Sequence, residues 1–146
     1  MDDLQFTGLG LSVSFSKTVS ESDVYLFAGI TGDLSPNHVD AEFMKGTPYG
    51  ARIAHGALLV GYMSRTSTMI ADKCVSSGSG WFPVSLGYDK VRFLAGVPIG
   101  DTITTTYTVT GYEAASHRST AAVEIKNQRG ELVAVATHIM KWLPNG

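Results

Sequence analysis

The chain has 146 residues, which is enough for one domain with a sizeable core, and we expect a single domain over residues 1–146. Hydrophobic residues make up 44% and charged residues 16% of the chain, a composition typical of ordered globular proteins. The net charge of -2 argues against a strongly basic surface, so neither nucleic acid nor a membrane is expected as a partner. No apolar run reaches the roughly 20 residues of a membrane span. The chain begins without a basic stretch followed by an apolar one, so no secretion signal is predicted.

Cys74 is the single cysteine, so no disulfide can form within the chain. This usage fits a reducing compartment, and we expect a cytoplasmic protein. Cys74 follows a helical pattern and is predicted to act as a small buried hydrophobe.

The first thirty residues predict one strand and one short helix. Leu11, Val13 and Phe15 alternate with serines, which is typical of a half-buried strand. Residues 20–23 combine a short capping side chain with acidic residues, so a helix is predicted to begin there. Gly32 is placed to end that helix in the left-handed conformation. The expected apolar face of the helix consists of Val24, Leu26, Phe27 and Ile30.

The segment from Asp33 to Arg52 reads as a long loop rich in Gly and Pro, and long structured loops often carry function. A helix is predicted from about Ala54 to about Lys73. Its middle is apolar, so it must be buried against something broad, most simply a sheet. Four strands joined by short links should follow and pair antiparallel. They are Trp81–Phe93, Thr102–Tyr112, Arg118–Lys126 and Leu132–Trp142. The predicted class is α+β, an antiparallel sheet wrapped around one long helix.

The run Gly32-Asp33-Leu34-Ser35-Pro36-Asn37-His38 places a carboxylate and an imidazole on one stiff turn. Acid/base catalysis needs two groups of different resting charge within reach of one water or one substrate proton. Gly56 follows at the start of the long helix, where free backbone N–H groups can hold an oxyanion. Together these features favour a catalytic interpretation.

Structural roles are the alternatives at each of these positions. Taken alone, Asp33 is a common turn residue, and His38 could be an ordinary hydrogen-bonded histidine. Gly56 could serve only to let the helix pack closely on the loop. His55 could be catalytic or purely structural, and the sequence leaves both open. His117 and His138 have no second ligand at metal spacing, so no metal is expected.

The motifs resemble those of the MaoC-like (R)-specific enoyl-CoA hydratases, or hydratase 2. The family pattern is an aromatic residue, then Gly-Asp-x-Asn-Pro-aliphatic-His, then aliphatic-x-His-Gly. Two positions depart from the pattern: Ser35 replaces the Asn, and Asn37 replaces the aliphatic residue. The matching positions are Phe27, Gly32, Asp33, Pro36, His38, Ile53, His55, Gly56, Ser64, Arg92-Phe93 and residues 97–101.

The resemblance implies a hot-dog fold and a hydro-lyase acting on a trans-2-enoyl thioester, with CoA as the expected carrier. It implies that Asp33 is the base, that His38 orients the water and carries a proton, and that the Gly56 N–H holds the thioester oxygen. Ser64 would support the pair, although a helical serine often just bonds the preceding turn. The resemblance further implies no separate cofactor and a homodimer or a multiple of it. Residues that could bind the CoA phosphates are Arg52, Lys90 and Arg92.

Two other functions remain open. A hot-dog thioesterase would use Asp33 to activate water at the carbonyl carbon, but it has no need of His38 to deliver a proton to Cα. A non-catalytic acyl-CoA-binding module would need the substrate tunnel without the acid/base pair. The presence of both Asp33 and His38 favours the hydro-lyase.

Overall fold

The computed structural model describes residues 3–146. These residues form four helices and five strands, and the long helix α4 packs on the sheet. In chain order the elements are β1 Ser12–Thr18, α1 Glu21–Thr31, α2 Pro36–Val39, α3 Ala41–Lys45, α4 Gly56–Cys74, β2 Trp81–Phe93, β3 Thr102–Glu113, β4 Arg118–Lys126 and β5 Leu132–Pro144.

Helix α1 is bounded by the caps that the sequence predicts. The Ser20 hydroxyl accepts from the Asp23 N–H, and the Asp23 carboxylate accepts from the Ser20 N–H, which satisfies two otherwise unpaired donors. Gly32 ends the helix at φ +80°, where a side chain would be strained.

The predicted composition of the buried face of α1 is partly wrong. Val24 is fully buried and Ala28 is buried beside it, but Leu26 is 66% and Ile30 is 81% exposed. Only one narrow stripe of this short helix packs against the rest of the chain, and Leu26 and Ile30 lie outside that stripe.

The segment expected to be a loop from Asp33 to Arg52 contains two short helices, so that prediction is also wrong in detail. Pro36 occupies the first turn of α2, where its missing N–H costs nothing. The Asp40 carboxylate caps α3 by accepting from the Phe43 N–H. Helices of four and five residues are too short to show a sustained periodicity, and the Gly and Pro residues around them favour a loop prediction.

The five strands form one antiparallel sheet in the order β1-β3-β4-β5-β2. Helix α4 lies against the sheet, chiefly against β1 and β3. Leu59, Met63 and Ile70 of α4 are buried, which confirms the predicted apolar middle of the helix. Cys74 is also fully buried, and burial raises the pKa of its thiol to about 11. The predicted α+β class is confirmed, with the helix starting two residues later than expected.

A second feature of the core is a buried histidine on β5. His138 is fully buried, and its Nδ1 and Nε2 each lie 2.8 Å from a hydroxyl, those of Tyr107 and Ser85 respectively. The Tyr88 ring stacks on the imidazole at 4.3 Å between centroids. Burial lowers the pKa of His138 to about 4, so the imidazole is neutral in the folded protein at neutral pH.

The edges of the sheet are β1 and β2. The threonine row of Thr102–Thr110 lies on the interior strand β3, where its hydroxyls pair with those of β1 at 2.7–3.0 Å, as between Ser16 and Thr104. The strand with this row is therefore not a free edge.

Strand β2 has two irregularities, at 85–87 and 89–92, and Lys90 takes a left-handed φ of +52° there. No helix within residues 3–146 is both long and apolar enough to cross a membrane.

Candidate active site

His38 lies on α2 and is held by the segment that precedes α4. Its ring Nδ1 is 2.8 Å from the Ile53 carbonyl, and the Ile53 N–H donates to the Asn37 carbonyl at 3.0 Å. Because a carbonyl only accepts, Nδ1 carries the proton of the neutral ring and Nε2 keeps its lone pair. His38 is 7% exposed, so its ring is fixed in one orientation with Nε2 as its free acceptor.

The structure brings Asp33, His38 and His55 together. One side-chain ligand atom from each of the three lies within 4.8 Å of those from the other two. The His38 and His55 rings stack at 3.7 Å between centroids, and His55 Nε2–H donates to the Asp33 carbonyl at 3.0 Å. The Asp33 side chain is exposed, so water can reach it. Sequence reasoning left His55 open; the structure makes it the residue that holds the Asp33 backbone beside His38.

A shared metal ion fits this trio poorly. The lone pair of an imidazole lies in the plane of its ring, and the planes of His38 and His55 are only 25° apart in a stack. Two stacked rings do not aim their lone pairs at one point. The arrangement suits an acid/base pair with a supporting histidine better than a metal centre.

Gly56 is the first residue of α4, and Phe93 explains why no side chain fits there. A Cβ at position 56 would lie 2.5 Å from Cε2 of the Phe93 ring. The first N–H groups of a helix have no partner within it, so the Gly56 N–H is available to a ligand. The helix N-terminus also carries partial positive charge, which favours an oxyanion at this point.

His38 and Gly56 line one cavity of about 320 Å³. Most of its lining side chains are apolar, and they come chiefly from the loop after β2 and the start of α4. The lining residues are Asn37, His38, Tyr49, Ile53, Ala54, Gly56, Ala57, Leu59 and residues 93–97. The imidazole and the helix N-terminus therefore face a common space that can hold an apolar substrate group.

Ser64 lies two turns farther along α4 and is not brought to the pair. Within residues 3–146 its hydroxyl makes no hydrogen bond with Asp33 or His38. The Tyr88 phenol of β2 lies near Ser64 and Ser67: burial raises its pKa, and these two hydroxyls partly offset the rise. Within residues 3–146 the Tyr88 oxygen has no hydrogen bond of normal geometry. Ser64 is exposed on the surface of α4.

The three basic residues named for CoA binding differ in whether their charged groups are already paired within the chain. The Arg52 guanidinium makes an ion pair with Glu21 and donates to the Tyr25 hydroxyl at 3.2 Å. The hydrogen bond and charge of Glu21 raise the pKa of Arg52. Lys90 and Arg92 are exposed on β2, and Arg92 donates to the Val91 carbonyl at 2.7 Å.

An antiparallel sheet packed around one long helix, with a polar motif at the helix N-terminus, defines the hot-dog class of proteins. A model of the MaoC like domain family matches residues 7–131, so the chain belongs to that family. This confirms the resemblance seen in the sequence motifs.

The relatives of this chain include hydratases of known structure. It is 42% identical to an (R)-specific enoyl-CoA hydratase of Rhodospirillum rubrum over 102 residues, which cover 70% of this chain and 65% of that protein. The R-hydratase PhaJ1 from Pseudomonas aeruginosa superposes with a TM-score of 0.76 at 28% identity, covering 94% of this chain and 83% of that one. The (R)-hydratase from A. caviae gives 0.77 at 26% identity, covering 91% and 95%. The chain spans 55–65% of the length of the first curated relatives it matches.

Proposed function

We propose that this protein is a hydro-lyase that adds water to a trans-2-enoyl thioester, or removes it from an (R)-3-hydroxyacyl thioester, with CoA as the carrier. The observation that carries the proposal is the convergence of a carboxylate, an imidazole and a helix N-terminus. Asp33 lies beside His38, and His38 shares a cavity with Gly56. Relatives that bear the hydratase name support the same reaction class.

The two side chains divide the proton chemistry. The exposed Asp33 carboxylate is the base that takes a proton from water as the oxygen attacks Cβ. His38 Nε2 accepts a hydrogen bond from that water, because the Nδ1 proton is committed to the Ile53 carbonyl. The proton taken from water then returns to Cα of the substrate. No metal or separate cofactor enters this scheme.

Gly56 stabilises the charge that the attack creates. As water adds to Cβ, negative charge builds on the thioester oxygen. The Gly56 N–H at the start of α4 donates to that oxygen and the helix dipole adds to the effect. The Phe93 ring lies where a side chain of residue 56 would be, so it adds an apolar wall beside the donor. Ser64 is proposed as a supporting group only, because its hydroxyl makes no hydrogen bond with Asp33 or His38 within residues 3–146.

The chain is proposed to act as a homodimer, or a multiple of it, formed through β2. Strand β2 is an edge of the sheet, and it exposes Phe82 at 41% and Leu86 at 49%. An unpaired edge with exposed apolar side chains invites pairing with a second copy. Lys90 and Arg92 on the same strand are the basic groups best placed for CoA phosphates. Arg52 is already held by Glu21. A role in fatty acid metabolism in the cytoplasm completes the proposal.

The test uses two substrates. Purified protein is incubated with crotonyl-CoA, and separately with a saturated acyl-CoA and a thiol reagent. Loss of enoyl absorbance with formation of the (R)-3-hydroxy product supports the hydro-lyase. Release of free thiol from the saturated substrate would instead identify a thioesterase using Asp33. Binding of acyl-CoA with neither reaction would identify a non-catalytic module.

A further inference from the structure

Ser35 and Asn37, the two positions that depart from the motif, contact each other. The Ser35 hydroxyl donates to Oδ1 of Asn37. The Asn37 carbonyl is in turn held by the Ile53 N–H at 3.0 Å. The backbone and the amide of Asn37 are therefore both fixed, one residue before His38.

With its oxygen already hydrogen-bonded, the Asn37 side chain still has two N–H donors on Nδ2. Throughout residues 3–146, no carbonyl or side chain accepts from Nδ2. Asn37 is half-buried and lines the same cavity as His38 and Gly56. Ser35 holds the amide oxygen, and Nδ2 is not among the buried polar atoms that lack a partner, so it is open to solvent in the cavity. A ligand that displaces this solvent leaves the donor unpaired unless it brings an acceptor, which is unfavourable.

The rest of the cavity narrows the kind of acceptor that would fit. Most of its lining side chains are apolar, and besides Asn37 only His38 and Tyr49 of residues 3–146 contribute polar side chains to it. No Lys or Arg of the described chain lines it, so a substrate carboxylate would be buried without a cation at high cost. A neutral oxygen, such as a hydroxyl or a carbonyl, matches an amide donor without that cost.

We propose that Asn37 is a specificity-determining residue whose amide N–H donates to a neutral oxygen on the acyl group of the substrate, so that oxygenated 2-enoyl thioesters are preferred over plain aliphatic ones. This inference rests on the proposed hydratase function and names its substrate class. A plain chain leaves the Asn37 donors unpaired when it displaces water from the cavity, whereas a hydroxylated chain pairs them.

The experiment compares two substrates of nearly the same shape, 4-hydroxybut-2-enoyl-CoA and trans-2-pentenoyl-CoA, which exchange a hydroxyl for a methyl group. The ratio of their kcat/KM values is measured for wild type, Asn37→Leu and the double variant Ser35→Asn/Asn37→Leu. The double variant restores the family motif at both positions, so it carries the test if the single variant fails to fold. The ratio should fall by about tenfold or more in both variants, because the substrate hydroxyl is then buried without its donor.

A second measurement does not depend on turnover. Dissociation constants of the saturated 4-hydroxybutyryl-CoA and pentanoyl-CoA should show the same change in ratio. A ratio that stays within twofold of wild type would overturn the proposal. An equal loss for both substrates would also overturn it, because it would place the contact on the pantetheine arm. If wild-type protein hydrates neither substrate, the proposed function itself is wrong, and the inference falls with it.

Discussion

The Gly56 N–H can be deleted with little change to the helix that carries it. Proline is well tolerated as the first residue of a helix, where its missing N–H would have no intrahelical partner. The preceding residue, His55, already has φ −59° and ψ 135°, the extended conformation that a residue before proline prefers. Gly56→Pro should therefore remove the proposed oxyanion donor and leave α4 in place.

The same substitution adds a Cβ, and the structure supplies the matched control. A Cβ at position 56 would meet the Phe93 ring at 2.5 Å, in Gly56→Ala as much as in Gly56→Pro. Phe93 is 52% exposed, so its ring can turn away in both variants. Only proline removes the N–H. The comparison of interest is therefore proline against alanine, not proline against wild type.

The expected loss follows from the worth of one oxyanion donor. Deleting such a donor costs about 2.7–4 kcal/mol of transition-state stabilisation, a fall in kcat of about 10²–10³. The assay is the initial rate of crotonyl-CoA hydration, followed by loss of enoyl absorbance, with thermal unfolding as the check on folding. The proline-to-alanine ratio should be unchanged in a Phe93→Ala background, where the steric conflict is absent. A folded Gly56→Pro enzyme within threefold of Gly56→Ala would show that this N–H does not bind the oxyanion.

Three further predictions follow from the fold and the site. Asp33→Asn and His38→Ala should each lower kcat for crotonyl-CoA by about 10²–10⁴ in a protein that still folds, and a folded variant with near wild-type turnover would contradict the assignment. Lowering the pH from about 6.5 to about 4 should cost up to about 3 kcal/mol of unfolding free energy through His138. Its folded pKa of about 4 lies below the ordinary value of 6.5, so the unfolded state binds the proton first. Denaturant titrations across this range should show that the unfolding free energy of His138→Gln depends less on pH than that of wild type. An unchanged pH dependence would exclude His138 as the cause. The neighbouring phenols of Tyr88 and Tyr107 do not titrate in this pH range. Hydratase activity should fall on dilution below the dimer dissociation constant, and a fully active monomer in sedimentation at nanomolar concentration would refute the dimer.

The local pattern of the sequence was sufficient to predict much of the secondary structure. Alternation in strands such as Arg118–Lys126, the Ser20 cap and the left-handed Gly32 all express conformational preferences of a few neighbouring residues, and the structure confirms them. The motif around Asp33 and His38 could be found for the same reason, since both residues lie on one short segment. Residue types at fixed spacing were enough to predict which part of the chain contributes residues to the candidate site.

Contacts between distant segments were decided only by the tertiary structure. The stacking of His55 on His38, the Phe93 ring against Gly56 and the capture of Arg52 by Glu21 each join residues that are far apart in sequence. Exposure of Leu26 and Ile30 depended on which stripe of α1 met the core. The strand order placed the threonine row of β3 inside the sheet and left β2 at its edge. Periodicity specifies the conformation of a segment, but its neighbours depend on the register and packing of the whole chain.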